Sequence, residues 1–248
     1  MLVLLPPSES KSSRSRGRPT DPTTLSWREL GPARAEVARA LGQVSAAPDA
    51  CEVLGVSPAL AAEVARNTVL DSAPAVPVAQ LYTGVLYDAL DLPSLDPASR
   101  RRAGRRLVVV SALHGALRLS DRVAPYRLSM GVSLPGVGPL AALWRPHLDA
   151  PLTAAAGRGL VVDCRSSTYA AAWRPRGPLA ERWVRVAVPG ASHGAKHTRG
   201  LVARELCRAT TDPRDPHALL SLLGDGLEAS LTEPSRPGAG WTMEVTER

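Results

Sequence analysis

The 248-residue chain has no phenylalanine, only two lysines and only three cysteines. Cys51, Cys164 and Cys207 are widely spaced, and none lies in a Cys-x-x-Cys pair or at metal-ligand spacing. This spacing indicates neither a disulfide framework nor a structural zinc site. We therefore expect reduced thiols, no metal site and no cofactor.

Long apolar runs are missing as well. The runs at 2–5 and 107–110 are far shorter than the ~20 residues that a membrane-spanning helix requires. The start, MLVLLPPSES, has no basic residue ahead of its apolar run, which a secretory signal would have. The sequence therefore predicts a cytoplasmic protein without a membrane partner.

Acidic residues are outnumbered, 23 against 30 basic ones, so the net charge is +7. Of the basic residues 28 are arginine, a bias typical of a GC-rich genome, which makes Lys11 and Lys196 the exceptions. A lysine amine can lose its proton when it is desolvated, whereas arginine is an obligate planar cation. The two lysines are either residual surface residues or positions where chemistry requires an amine.

Predicted strands and helices alternate along the chain. Strands are predicted at 2–5, 107–113, 160–164, 184–188 and 241–247, and helices at 26–41 (closed by Gly42), after 58, after 97, and at 137–157, 166–172, 199–209 and 216–223. The alternation predicts an α/β fold with a central mixed sheet flanked by helices. We expect a single domain over 1–248, with 26–70 as a helical subdomain.

Polar residues cluster where the predicted strands end. They are Ser8, Glu9 and Lys11; Ser111, His114, Arg118, Asp121, Tyr126 and Arg127; Asp163, Arg165, Ser166, Ser167 and Tyr169; and Ser192, His193, Lys196, His197 and Arg199. In open α/β sheets the loops beyond the carboxyl ends of the strands share one crevice. The clusters therefore predict a site there, although ordinary capping loops account for part of them.

Two short motifs have both an ordinary and a functional interpretation. The stretch 190–194 matches the G-x-S-x-G elbow of serine hydrolases, but the next helix is predicted only near Arg199, so a hydrolase is not favoured. The stretch 53–58 is similar to a helix-hairpin-helix element, which binds a phosphate through backbone amides. An ordinary capped helix start is the alternative for the second motif.

Five segments carry longer motifs, in a fixed order. They are Pro7-Ser8-x-Ser10-Lys11, Leu81-Tyr82-Thr83-Gly84, SALHGALRLSDRVAPYRLSMG at 111–131, LVVDCRSSTY at 160–169 and SHGAKHTRGLVAR at 192–204. Together they cover most of the chain, and the block at 111–131 is the most specific. In this order they resemble the peroxide stress protein YaaA family. Lys11 and Lys196 both fall on lysines of the family motifs.

The resemblance implies a protein that lowers unincorporated iron and oxidative damage during peroxide stress, in a single compact α/β fold of its own type. It also implies binding of double-stranded DNA through a positively charged cleft and a helix-hairpin-helix element. The expected DNA- or anion-binding residues are Lys11, Tyr82, Thr83, Gly84, Ser111, Arg118, Tyr126, Arg127, Ser166, Lys196 and Arg199, with Gly55 and Ser57 offering hairpin amides.

An enzyme is the alternative function. Lys11 or Lys196, with a pKa lowered by burial beside other cations, would be nucleophile or proton carrier, together with Asp163 and Tyr169. Arginines 118 and 127 would clamp a small anionic or nucleotide-like substrate. DNA binding requires neither an aspartate nor a tyrosine at these positions, which favours the enzyme.

Direct iron sequestration is a third interpretation. It rests on His193 and His197, which stand four residues apart and would share one face of a helix. No carboxylate-rich iron cage accompanies them in the sequence, so this interpretation ranks below the other two.

Overall fold

The computed structural model describes residues 1–190, 192–236 and 238–248, without the side chains at 192 and 193. Its strands are β1 (Leu2–Leu5), β2 (Val76–Pro77), β3 (Leu107–Ser111), β4 (Gly115–Arg118), β5 (Arg122–Val123), β6 (Ser133–Leu134), β7 (Gly138–Pro139), β8 (Val161–Asp163), β9 (Trp183–Ala187), β10 (Leu227–Thr232) and β11 (Trp241–Glu247). The α-helices are α1 (Gly31–Ser45), α2 (Ala50–Val53), α3 (Ala61–Ala65), α4 (Val78–Leu81), α5 (Val85–Leu90), α6 (Pro97–Arg106), α7 (Leu140–Ala156), α8 (Ser167–Ala170) and α9 (Ser192–Arg208). Short 3₁₀ helices lie at Pro22–Thr24, Arg28–Leu30, Pro58–Leu60, Arg66–Val69, Leu92–Ser94, Gly177–Arg182 and His217–Leu222.

A seven-stranded mixed sheet with the order β10-β11-β9-β8-β1-β3-β4 forms the centre of the fold. The five inner strands are parallel, and β4 and β10 are antiparallel edge strands. Strand β1 pairs with β3 on one side and with β8 on the other, so the winding of the sheet reverses at β1. A ligand crevice is expected beyond the carboxyl ends of the strands at such a reversal.

The strands are buried on both faces because helices cover both sides of the sheet. Leu4 and Val108 face one apolar core, which also contains Val37 of α1 and Trp144 of α7. Residues 3, 5, 107 and 109 face a second core formed with α5 and α9. The predicted helical region 26–70 therefore shares its apolar core with one face of the sheet.

Helices α5 and α9 approach each other closely at Gly200. A Cβ atom built on this glycine would clash with the carbonyl oxygen of Leu86 and lie 2.7 Å from the Cβ of Ala89. Only a residue without a side chain allows this distance between the two backbones. The contact fixes the first turns of α9, with Lys196 and Arg199, over the carboxyl ends of the strands.

Most of the predicted elements are confirmed. The strand predicted at 241–247 coincides with β11, and those at 160–164 and 184–188 correspond to β8 and β9. Helix α6 begins after Asp96, whose carboxylate accepts hydrogen bonds from the amides of Ala98 and Ser99. The α/β fold with a mixed central sheet is thus the observed one.

Several predicted helices differ from the structure, including the one after residue 58, where α3 lies between two 3₁₀ helices. The helix predicted at 26–41 corresponds to α1, which begins at Gly31. It continues past Gly42 to Ser45, because Gly42 keeps the helical conformation instead of the left-handed one that ends a helix. The helix predicted at 199–209 begins at Ser192 in the structure. The sequence did not indicate this start, because the first turns are polar and lack apolar periodicity. The segment predicted at 216–223 is a 3₁₀ helix.

Candidate functional site

A cleft of about 520 Å³ lies beyond the carboxyl ends of β1 and β8. It brings together most of the sequence-predicted residues: Lys11, Gly55, Thr83, Gly84, Arg127, Ser166, Tyr169, Lys196 and Arg199. Leu54, Val56, Leu86 and Leu128 give it apolar walls. The cleft therefore combines cationic, hydroxyl-bearing and apolar surface, as small-molecule sites do.

The loop after β1 is held in place by backbone pairing with residues 80–83. Lys11 forms an isolated antiparallel bridge with Tyr82, and the amide of Ser12 donates to the carbonyl of Leu81 at 2.8 Å. Gly84 has a φ of +91°, and a Cβ there would lie 3.7 Å from the hydroxyl oxygen of Ser8. This pairing explains the Leu-Tyr-Thr-Gly motif, because the glycine supplies the left-handed turn into α5.

The Lys11 amine lies at the inner end of the cleft. Its Nζ donates hydrogen bonds to the carbonyl oxygens of Ser8 at 2.8 Å and Glu9 at 3.3 Å. The aromatic rings of Tyr126 and Tyr82 lie with their centroids 4.4 and 5.6 Å from Nζ. Burial, followed by the nearby Arg127 guanidinium, lowers the pKa of Lys11 from 10.5 to about 7, against the opposing effect of two glutamates.

A buried hydrogen-bonded chain supports the two rings. The hydroxyl groups of Tyr82 and Tyr126 lie 3.1 Å apart, and that of Tyr126 lies 2.7 Å from the Ser111 hydroxyl. The hydroxyl oxygen of Ser111 also accepts hydrogen bonds from two backbone amides in the loop after β3. Burial raises the pKa of both tyrosines above the ordinary phenol value, so they stay neutral. Ser111, Tyr82 and Tyr126 therefore hold the apolar surroundings of Lys11 in place.

His114 lies beside this chain. Its ring packs edge-on against Tyr126 at 5.5 Å between centroids, and its Nε2 is buried with no hydrogen-bond partner among the described residues. Burial, with the charges of Arg34 and Lys11, lowers the pKa of His114 to about 3. The imidazole is therefore neutral at physiological pH.

Arg127 is neutralised within the protein. Its guanidinium pairs with Glu9 at 3.1 Å and Glu63 at 3.2 Å, and the side-chain amide of Asn67 bonds both its backbone N–H and its carbonyl. The ion pairs join α3 to the loop after β1, next to Lys11. Sequence reasoning missed Glu63 and Asn67, because no local motif marks a residue that acts across 60 positions.

Lys196 and Arg199 form the cationic end of the cleft. Both lie on the first turns of α9, and Lys196 is exposed. The Nε of Arg199 donates to the carbonyl oxygen of Val186 at 3.3 Å, and no salt bridge to either residue occurs in the described part of the chain. These two cations are therefore available to an anionic ligand.

Some predicted site residues lie elsewhere. Arg118 donates to the carbonyl of Arg105 at 2.7 Å and covers the ring of Trp27, away from the cleft. Asp163 does not line the cleft and pairs instead with buried Arg165 at 2.7 Å. The hydroxyl of Ser57 accepts the amide of residue 59 at 3.3 Å and starts a 3₁₀ helix.

Two motif predictions receive little structural detail. Around Gly55, whose φ is +63°, the flanking helices α2 and α3 are four and five residues long, and the turn forms one wall of the cleft. The stretch 190–194 includes residue 191, which lies outside the described part of the chain. The side chain of His193 lies outside it as well, whereas Nδ1 of His197 lies 2.9 Å from the carboxylate of Glu247. The described residues contain no group of three or more metal-ligating side chains. They also contain no helix long and apolar enough to cross a membrane.

The thiols bear on any reaction with peroxide, because the thiolate is the reactive form. Burial raises the pKa of Cys164 and Cys207 to about 12, whereas Cys51 is half-buried. We expect iodoacetamide to alkylate Cys51 alone in the native protein near neutral pH, and all three thiols after unfolding in urea. Mass spectrometry of the peptides checks this, and rapid native alkylation of Cys164 would contradict it.

The sheet and its cleft define a class of protein: an α/β protein whose cleft is lined by cationic side chains and by a desolvated lysine. The chain matches the model of the peroxide stress protein YaaA family over residues 1–230. It is 47% identical to a UPF0246 protein of Streptomyces coelicolor, over 99% of this chain and 98% of that one. It is 38% identical to a UPF0246 protein of Corynebacterium efficiens, over 100% and 96%. The chain therefore belongs to the peroxide stress protein YaaA family, which gives it a general role in peroxide stress.

Proposed function

We propose that the protein acts in the cytoplasm during peroxide stress by binding a small anionic substrate in the cleft and reacting with it through Lys11. The observation that carries this proposal is the Lys11 amine, which packs against two tyrosine rings and, among the described residues, donates hydrogen bonds only to carbonyl oxygens. With a pKa of about 7, a large fraction of this amine is neutral at physiological pH. A neutral amine can act as a base or a nucleophile.

The remaining walls of the cleft suit an anion of limited size. Lys196 and Arg199 supply positive charge without internal ion pairs among the described residues, and Ser166, Thr168 and Tyr169 supply hydroxyl groups. A volume of about 520 Å³ accommodates a metabolite or a nucleotide. The cleft thus provides an anionic anchor and a reactive amine together.

The test is survival of peroxide by cells in which the chromosomal gene carries Lys11→Met. We expect these cells to be as sensitive as cells without the gene, because methionine keeps the volume but has no amine. Arg101→Gln is the matched control, since it removes an exposed charge from α6 far from the cleft lining. Wild-type survival of the Lys11→Met cells, at equal protein abundance, would refute the proposal.

Binding of double-stranded DNA at the mouth of the cleft is the second candidate. It is favoured by the net charge of +7 and by exposed Arg14, Arg16 and Arg18, in the same N-terminal loop as Lys11. Together with Lys196 and Arg199 they would neutralise phosphates, so affinity would fall steeply with salt and show little dependence on base sequence. Backbone amides near Gly55 would add a contact in this case.

Fluorescence anisotropy with a short duplex across a salt series tests this candidate. Arg199→Gln should reduce the slope of log affinity against log salt by about one, the loss of one phosphate contact. Arg118→Gln, which lies off the cleft, should leave the slope unchanged. Equal slopes for the Arg199→Gln variant and the wild type would show that DNA does not bind at the mouth of the cleft.

We also propose that lower unincorporated iron is the cellular outcome of this activity. Electron paramagnetic resonance of chelated iron in peroxide-treated cells measures it directly. Cells with Lys11→Met should then hold more unincorporated iron than cells with Arg101→Gln. Equal levels in the two strains would contradict a link between the cleft and the level of unincorporated iron.

A further inference from the structure

The two hydrogen bonds of Lys11 match the two N–H donors of a neutral amine. A neutral primary amine has two N–H donors and one lone pair, whereas an ammonium has three donors. The carbonyl oxygens of Ser8 and Glu9 accept from Nζ, and the described residues offer no third acceptor within hydrogen-bond distance. Two hydrogens are thus held by the protein, and the lone pair is left for a ligand.

The cleft also holds proton donors that stay protonated. Tyr169 lines the cleft, and its phenol lies by the amide of Met130 and the hydroxyl of Ser129. Burial raises the pKa of Tyr169 to about 12, so the phenol keeps its proton at neutral pH. The hydroxyl of Ser166 lines the same cleft. An oxygen bound near these groups can receive a proton from them.

The positive charges of Lys196 and Arg199 favour one class of ligand in the cleft, namely anions. The two residues lie on the same cleft as Lys11 but on another element, helix α9, and no salt bridge to them occurs among the described residues. Leu86 and Leu128 supply apolar surface to the same cleft. A ligand with an anionic end and a short carbon skeleton therefore fits, with its reactive carbon at Lys11.

We propose that the substrate is an anionic carbonyl compound, a phosphorylated or carboxylated aldehyde or ketone, and that Lys11 forms an imine with its carbonyl carbon. This rests on the function proposed above and names its substrate class. The lone pair of Nζ forms the C–N bond, and a nitrogen proton passes to the former carbonyl oxygen. Tyr169 then protonates the hydroxyl, which leaves as water, and regains its proton from the nitrogen as the C=N bond forms. The step requires no oxidant or reductant.

Pyridoxal 5′-phosphate is the probe, because it carries an aldehyde and a phosphate and is small enough for the cleft. The purified protein is incubated with it near neutral pH and reduced with borohydride, which converts an imine into a stable secondary amine. Peptide mass spectrometry then compares the two lysines of the chain and the N-terminus. We expect the modification at Lys11, and none there in the folded variant Lys11→Arg.

Pyridoxal without the phosphate is the matched control. Losing the phosphate should lower labelling of Lys11 about tenfold, since the charge-assisted bonds to Lys196 and Arg199 are lost. Arg199→Gln should weaken labelling by the phosphorylated probe and leave labelling by pyridoxal unchanged. Equal labelling of Lys11 by both probes would overturn the anionic substrate class.

Absence of reduced imine at Lys11, with phosphate still bound in the cleft and Lys11 still acylated near neutral pH, would overturn the imine but leave the proposed function standing. Failure of acylation as well would overturn both.

Discussion

Asp163→Asn should lower the free energy of unfolding by about 3–5 kcal/mol, because it leaves the buried Arg165 guanidinium without its counter-charge. The two residues are only 3% and 4% exposed, and their side chains are joined by two hydrogen bonds of 2.7 Å. The carboxylate also accepts from the indole of Trp183 at 3.1 Å. Asp163 thus stabilises the end of β8, and urea denaturation of the variant measures the loss.

Two controls make this result specific. Glu205→Gln breaks the pair with Arg208, whose side chain is 60% exposed, and should change stability by less than about 1 kcal/mol. Combining Asp163→Asn with Arg165→Met removes the stranded charge, so the double variant should be more stable than the sum of the single losses predicts. A loss below about 1 kcal/mol for Asp163→Asn would show that the pair does not hold this part of the fold.

Lys11→Met should stabilise the protein at low pH, and the gain should disappear as pH rises. Below pH 7 both folded and unfolded chains carry the Lys11 proton, and the folded state bears the full cost of an ammonium in a desolvated site. Between pH 7 and 10.5 the folded state has released the proton that the unfolded chain still holds, so wild-type stability rises with pH. The pKa change from 10.5 to about 7 corresponds to about 5 kcal/mol.

The lost hydrogen bonds to Ser8 and Glu9 offset about 2 kcal/mol of this gain. We therefore expect Lys11→Met to be more stable than the wild type by about 3 kcal/mol at pH 6 and no more stable at pH 10.5. Urea denaturation of both proteins across this range measures the difference in their free energies of unfolding. The pH dependence of the other titrating groups cancels in this difference, because both proteins contain them. A difference that does not change with pH would contradict a lowered pKa at Lys11.

The sequence predicted the inner strands of the sheet and the position of the cleft. Continuous apolar runs such as 2–5 and 107–110 favour short strands that are buried on both faces, and the structure has β1 and β3 there. The rarity of lysine directed attention to Lys11 and Lys196, and both line the cleft. Composition and periodicity are local properties, and both could therefore be evaluated without a structure.

What the sequence could not predict depends on long-range contacts. Strand β4 is four residues long and pairs with β3, while β10 pairs with β11, to which residues 233–240, rich in proline and glycine, connect it along the sequence. Arg118 and Asp163 are residue types that are common in binding sites, but each already has a partner in the protein. Arg118 donates to the carbonyl of Arg105, and Asp163 forms a salt bridge with Arg165. Only the three-dimensional fold distinguishes a polar side chain that is already paired from one that a ligand can reach.

The neighbours of Lys11 give a further check on the cause of its lowered pKa. Arg127 lowers the pKa of Lys11, whereas Glu63 and Glu9 raise it. Arg127→Gln should therefore move the titration of Lys11 to higher pH, and Glu63→Gln should move it to lower pH. Shifts of the same sign in both variants would contradict this electrostatic account.

The most direct test of the account is the reactivity of Lys11 as a function of pH. With only two lysines in the chain, limited acylation by acetic anhydride followed by mass spectrometry gives the rate at Lys11 alone. We expect this rate to rise with pH to a plateau, with a midpoint near pH 7. A midpoint near 10.5, the ordinary lysine value, would mean that Lys11 is an ammonium under physiological conditions and would contradict its role as the reactive amine of the cleft.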